Sequence, residues 1–132
     1  MSMIESLSAV TFVTRDMELA VRFYLSLGFE MLYGGESADF TSFRVGSSYL
    51  NLGLRSEHGS CEGWGRAIFY VTDVDAMYAR ALESGLTPDF EPRDATWGER
   101  YFHLKDPDGH ELSFARPLLV PREPQSGNVA SR

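Results

Sequence analysis

The chain has 132 residues, an apolar fraction of 43% and a formal net charge of −7. That length supports one compact domain with a core of its own, and the composition excludes a disordered chain. The acidic balance argues against a nucleic-acid partner, no apolar run reaches the length of a membrane span, and the N-terminus lacks a basic stretch followed by a long apolar one, so the expected setting is the cytoplasm.

Residues 7–13 alternate and are β-prone, which predicts a first strand. Over residues 16–27 the apolar residues Met17, Ala20, Val21, Phe23, Tyr24 and Leu27 recur at helical spacing behind Asp16, a helix-capping residue. A short strand follows at 29–33, and Gly34-Gly35 marks a turn. Residues 39–45 and 48–54 read as a hairpin. The polar, glycine-containing stretch at 56–63 reads as a linker between module one, about 5–55, and module two, about 64–116. Module two repeats the order: a strand at 65–71, a helix at 73–84, a weak strand at 87–91 weakened further by Pro88 and Pro92, a strand at 100–105, a turn at 106–109 and a last strand at 110–115. Residues 117–132 are rich in proline and polar side chains and read as a C-terminal tail.

The repeat is explicit. An offset of 57 places Asp16 on Asp73, Leu25 on Leu82 and Gly28 on Gly85. The predicted class is therefore α+β: two tandem βαβββ modules forming a curved mixed sheet around a cavity. Alternation sorts the strand faces. Val10, Phe12, Leu50, Leu52, Phe69, Phe102, Leu104, Leu112 and Phe114 belong under the helices. The opposite face mixes Tyr49, Asn51, Arg66, Ile68, Tyr70, Tyr101, His103, Glu111 and Ser113, which suits a ligand-binding surface or a solvated or dimeric face. Trp64 and Trp97, each beside a glycine, suit either a lid over a planar ligand or peripheral core. Arg66 on a sheet needs a partner, either Glu111 or an anionic group of a ligand. His103 is tunable near neutrality but has no identifiable catalytic partner. Cys61, the single cysteine, cannot form an internal disulfide and has no base beside it. Open sheet edges predict a homodimer.

The VTxD-type helix entries at 14–16 and 72–73, the string AVRFYLSLGF and the closing DPDGHELSF over 106–114 resemble the vicinal oxygen chelate superfamily. That group contains glyoxalase I, extradiol dioxygenases, fosfomycin-resistance enzymes and bleomycin-resistance proteins, and the resemblance covers residues 5–116. Its metal-dependent members take two ligands from each half, one on the first strand and one on the last. Carried onto this chain, the four positions are Ala9, Asn51, Arg66 and Ser113, none a strong ligand for a divalent metal. His103, His110 and Glu111 offer an off-register alternative that parity on a regular strand disfavours. The resemblance thus implies a metal-independent binder without a cofactor. Its expected partner is a small molecule, aromatic or cationic, and antibiotic sequestration of the bleomycin-resistance kind is the leading reading. The ligand contacts expected are Tyr49, Asn51, Trp64, Arg66, Tyr70, Trp97, Tyr101, His103, Glu111 and Ser113. The alternatives are a glyoxalase- or dioxygenase-family lyase, isomerase or transferase with an atypical site using His103, Glu111 or Tyr101, and a regulatory or accessory binding domain.

Overall fold

The computed structural model describes residues 2–57 and 59–118, which fall into two compact units. The first runs through Gly65 and takes in Asp106–His110; the second holds Arg66–Lys105 and the described residues from Glu111 on.

The first unit contains β1 (Ala9–Thr14), α1 (Met17–Ser26), β2 (Glu30–Tyr33), β3 (Phe40–Val45) and β4 (Ser48–Leu54). Its sheet has the order β1-β4-β3-β2, with β1 parallel to β4 and the other neighbours antiparallel. The second unit contains β5 (Arg66–Tyr70), α2 (Val74–Glu83), β6 (Arg93–Asp94), β7 (Glu99–Lys105) and β8 (Glu111–Pro117). Its order, β5-β8-β7-β6 with β5 parallel to β8, is the same topology again. The α+β class and the duplicated βαβββ plan are both present.

Both helices start and stop by the same chemistry. Asp16 accepts from the Leu19 N–H at 3.1 Å and Asp73 from the Ala76 N–H at 3.0 Å, each satisfying a backbone donor of the first turn. At the other end Gly28 and Gly85 adopt φ of 92° and 80°, the left-handed conformation that costs glycine nothing. The N–H groups of Phe29 and Leu86 then return to Tyr24 and Ala81 at 3.1 and 3.0 Å, closing a Schellman motif in each module. Beyond the caps the helices differ. Met17, Ala20, Val21, Phe23 and Tyr24 of α1 are buried, whereas only Val74 and Ala81 of α2 are. Alternation sorts most strand residues as expected: Phe12, Leu50, Leu52, Phe102, Leu104, Leu112 and Phe114 are buried, whereas Val10 and Phe69 are only partly so.

Several sequence expectations shift, among them the last strand, which runs on to Pro117, the first residue of the expected tail. Residues 87–91 form no strand. Pro88 and Pro92 lack donors, so the segment contributes the Asp89 N–H to His103 O at 2.8 Å, and β6 is confined to Arg93–Asp94. β7 begins one residue earlier than expected, at Glu99, which adds an inward-facing position to its row. His110 lies before β8 rather than on it, because the Asp106 N–H donates to the His110 carbonyl at 3.0 Å and closes the turn around it. From residue 119 on, the expected tail lies outside the described residues. Among the described residues no helix is long and apolar enough to cross a membrane.

Candidate functional site

In the second unit, register gathers the mixed face into rows. Arg66 pairs with Glu111 and Ile68 with Ser113 across β5 and β8; His103 pairs with Ser113 and Tyr101 with Ala115 across β7 and β8. Residues two apart share a face, so β7 presents Glu99, Tyr101 and His103 in line. Trp97, on the turn before β7, completes the wall. These side chains enclose a cavity of about 150 Å³ lined by Arg66, Ile68, Trp97, Glu99, Tyr101, His103 and Ser113.

The wall is aromatic and braced. Trp97 packs on Tyr101 with ring centroids 5.3 Å apart, and Tyr101 on His103 at 5.1 Å. Phe90 backs both rings at 5.5 and 5.0 Å, and the Arg93 guanidinium lies 3.6 Å over the Phe90 ring, a cation–π contact. Glu99 is buried. Its carboxylate accepts from the Trp97 indole N–H at 3.0 Å and from the Tyr70 hydroxyl, so it fixes the indole against the cavity.

Arg66 meets Glu111 at 3.2 Å, with the two side chains 36% and 26% exposed. The pairing expected from sequence is present, but Arg66 is exposed rather than interior to the sheet, so solvent screens the attraction. Burial pushes the His103 imidazole below its ordinary value, and the Arg66 charge adds to the shift against the opposite pull of Asp89 and Glu111. His103 is therefore neutral near pH 7, with one donor and one acceptor nitrogen.

The remaining candidates sit in the first unit. Tyr49 and Asn51 border a separate hollow of about 320 Å³ with Ala9, Leu32, Tyr33 and Ser42, and the Asn51 amide donates to Thr11 Oγ1 at 3.2 Å. Trp64 donates its indole N–H to His110 Nδ1 at 2.8 Å, while His110 Nε2 lies 2.8 Å from the Val13 carbonyl. A carbonyl only accepts, so the proton is on Nε2, and both nitrogens are engaged. The imidazole also stacks on Phe12 at 4.4 Å.

His110 belongs to a buried polar hub that sequence reasoning treated as a plain turn. Tyr24 donates its hydroxyl to Asp106 at 2.7 Å, and the other Asp106 oxygen accepts the N–H groups of Asp108 and His110 at 2.9 and 3.0 Å. The Arg15 N–H donates to Asp108 at 3.0 Å. Burial raises the Asp106 carboxyl above its ordinary value, and the Tyr24 hydrogen bond pulls it part of the way back. Burial and the Asp106 charge push the Tyr24 phenol well up, and burial raises the Cys61 thiol with help from Asp108. Cys61 is thus poorly suited to act as a thiolate nucleophile. The available signal was a run of acids closing on a histidine, but its partners lie far away in sequence. Glu99 was missed for a simpler reason: starting the strand at residue 100 stops the inward row one position short.

The residues at the superfamily's ligand positions do not fit a divalent metal. In the first unit Ala9 has no donor and the Asn51 amide is bonded to Thr11; in the second, Arg66 is a cation held by Glu111, and Ser113 offers a neutral hydroxyl. His110 Nδ1, its one acceptor nitrogen, is already taken by the Trp64 indole N–H, so ligation through it would displace that hydrogen bond. Among the described residues no cluster of three His, Cys, Asp or Glu side chains is placed to hold a metal ion.

The family model described as Glyoxalase/Bleomycin resistance protein/Dioxygenase superfamily matches residues 6–114. An uncharacterized protein of Mycobacterium bovis is 46% identical over 48 residues, which are 36% of this chain and 32% of that protein; the match thus spans about a third of the mycobacterial relative. Metallothiol transferase FosB of Shouchella clausii is 29% identical over 129 residues, covering 91% of this chain and 86% of its own. Among solved structures, a bleomycin-binding protein complexed with bleomycin shares the fold with a TM-score of 0.68 at 20% identity, over 86% of this chain and 98% of that one. With its duplicated strand order and a family match over most of its length, this chain belongs to the glyoxalase/bleomycin resistance protein/dioxygenase superfamily.

Proposed function

We propose that the protein is a metal-independent binder of a small, planar molecule, with antibiotic sequestration as its role. We further propose that it works in the cytoplasm as a homodimer. The observation that carries the reading is the braced aromatic wall of Trp97, Tyr101 and His103 facing Arg66, Glu99 and Ser113 around one cavity. A few convergent polar groups in a concave, partly apolar site are the ordinary makings of a ligand pocket. Sequestration requires affinity and no chemistry, so it tolerates Ala9, Asn51, Arg66 and Ser113 where a metal-dependent enzyme needs ligands. The bleomycin complex of a structural relative supports the reading by likeness of fold. A cavity of about 150 Å³ accepts a single aromatic ring, the size class that benzene fills. A larger ligand therefore seats one ring here and leaves the rest outside.

The test is a thermal-shift panel of antibiotics, bleomycin among them, in buffer containing a chelator. A ligand at a hundred times its Kd stabilises the native state by about 2.7 kcal/mol, a shift of several degrees for a domain of this size. At least one planar aromatic compound should produce it. No shift from any planar compound, or a shift that needs added divalent metal, contradicts the reading. Light scattering should give the mass of a dimer at micromolar concentration; a monomer removes that part of it.

A further inference from the structure

The cavity of the second unit has two chemically different ends. At one, Arg66 presents a planar guanidinium, one of whose N–H groups is engaged by Glu111. The Ser113 hydroxyl and the His103 imidazole, cross-strand partners, stand in the next row. At the other end Glu99 presents a buried carboxylate, beyond Tyr101 on the same strand and braced by Trp97 and Tyr70. Ile68 and the rings of Trp97 and Tyr101 complete the lining. Arg66 and Glu99 occupy different rows of the sheet, yet both reach one cavity of about 150 Å³. A guanidinium prefers a carboxylate or another planar acceptor, whereas a carboxylate set among aromatic faces favours a cation. His103, kept neutral, adds no charge that would oppose either group.

We propose that this pocket is bipolar: it selects a single-ring aromatic ligand, or the ring of a larger one, that carries an anionic acceptor towards Arg66 and a cationic donor towards Glu99. The inference rests on the binding reading above and gives its ligand a chemical class.

Three ring probes test it by quenching of tryptophan fluorescence and by calorimetry. 4-(Aminomethyl)benzoate carries both groups, 4-methylbenzoate only the anion and 4-methylbenzylamine only the cation. With the wild-type protein the two-ended probe should bind about tenfold or more tightly than either single-ended one, the gain expected of an added charge-assisted hydrogen bond. Glu99→Gln should erase its advantage over 4-methylbenzoate, and Arg66→Gln its advantage over 4-methylbenzylamine. Equal binding of the three probes overturns the bipolar assignment while leaving ring binding intact. Binding of none of them, or an advantage that survives both substitutions, overturns it as well, and the antibiotic panel then decides the broader reading separately. The wild-type comparison decides the matter even where a variant fails to fold.

Discussion

The two units follow one plan, with the same strand order, the same aspartate caps and the same glycine stops, yet they place their polar residues differently. The first unit turns them inward: Tyr24, Asp106, Asp108 and His110 are buried and bonded to one another or to backbone. The second sets Arg66, Glu99, His103 and Ser113 around a cavity, with Glu99 and Ser113 themselves buried in its wall. A duplicated module thus carries a buried polar hub in one half and, in the other, the cavity proposed above for a ligand. The helices show the same division, since α1 buries five residues and α2 two. A substitution in the hub should therefore lower stability, and one in the pocket should lower affinity.

The largest expected effect is at the hub. Asp106→Ala strands three donors, the Tyr24 hydroxyl and the N–H groups of Asp108 and His110. At about 1–3 kcal/mol for each buried unsatisfied group, the loss should reach about 3 kcal/mol or more. Urea unfolding measures it, and a loss below about 1 kcal/mol would remove the hub from its place in the comparison. Next comes Arg66→Ala in the pocket. It should weaken binding of the best compound from the thermal-shift panel by about 1–3 kcal/mol, towards the lower end because the Arg66 side chain is 36% exposed. Arg66→Lys should restore part of this, since the planar fork is lost. Unfolding of either variant should stay close to wild type, because half-exposed ion pairs contribute little.

Acidification should act on the two units with opposite sign. His103 has a folded value below its ordinary 6.5. Its contribution is fully present above that unfolded value and is lost as the pH falls through the depressed folded one. His103→Gln should flatten that part of the stability profile. Asp106 has a folded value above its ordinary 3.8. It penalises the fold at neutral pH, and the penalty is relieved as the pH falls through the raised value. A stability profile that His103→Gln leaves unchanged between about pH 7 and 5 would show that burial of this imidazole is inconsequential. The smallest effect belongs to Arg100, which bridges Asp75 at 2.9 Å and Asp94 at 3.1 Å on the surface. Arg100→Gln should cost about 0–1 kcal/mol, and less at high salt.

Much of this architecture is legible in the sequence because it is written locally. Asp16 with Gly28, and Asp73 with Gly85, bracket each helix within a dozen residues, so capping chemistry alone places both. Period-two alternation places Arg66, Tyr101 and His103 on one face, and the repeat itself brings Arg66 beside Glu111. What escapes the sequence is what depends on distant neighbours. Tyr24 and Asp106 are 82 residues apart, so nothing local marks the closing turn as a hub. His110 is buried, as its place opposite Glu111 in the alternation suggests, but its ties to Trp64 and Val13, 46 and 97 residues away, have no local signal. Trp64 borders a hollow of about 420 Å³ in the first unit, and its tie to His110, 46 residues away, has no local signal. Glu99 is lost to a strand boundary misplaced by one residue.

The central claim is that the second unit's face captures a planar ligand without a metal. Calorimetry with the best compound from the panel tests it most directly, using wild-type protein dialysed against EDTA beside the Trp97→Ala and Trp64→Ala variants. The account predicts that binding persists in EDTA, that Trp97→Ala weakens it by about tenfold or more, as expected for removal of an aromatic stacking partner, and that Trp64→Ala leaves it nearly unchanged. Binding that disappears in EDTA and returns with zinc, nickel or manganese, or that depends on Trp64 rather than Trp97, would contradict it.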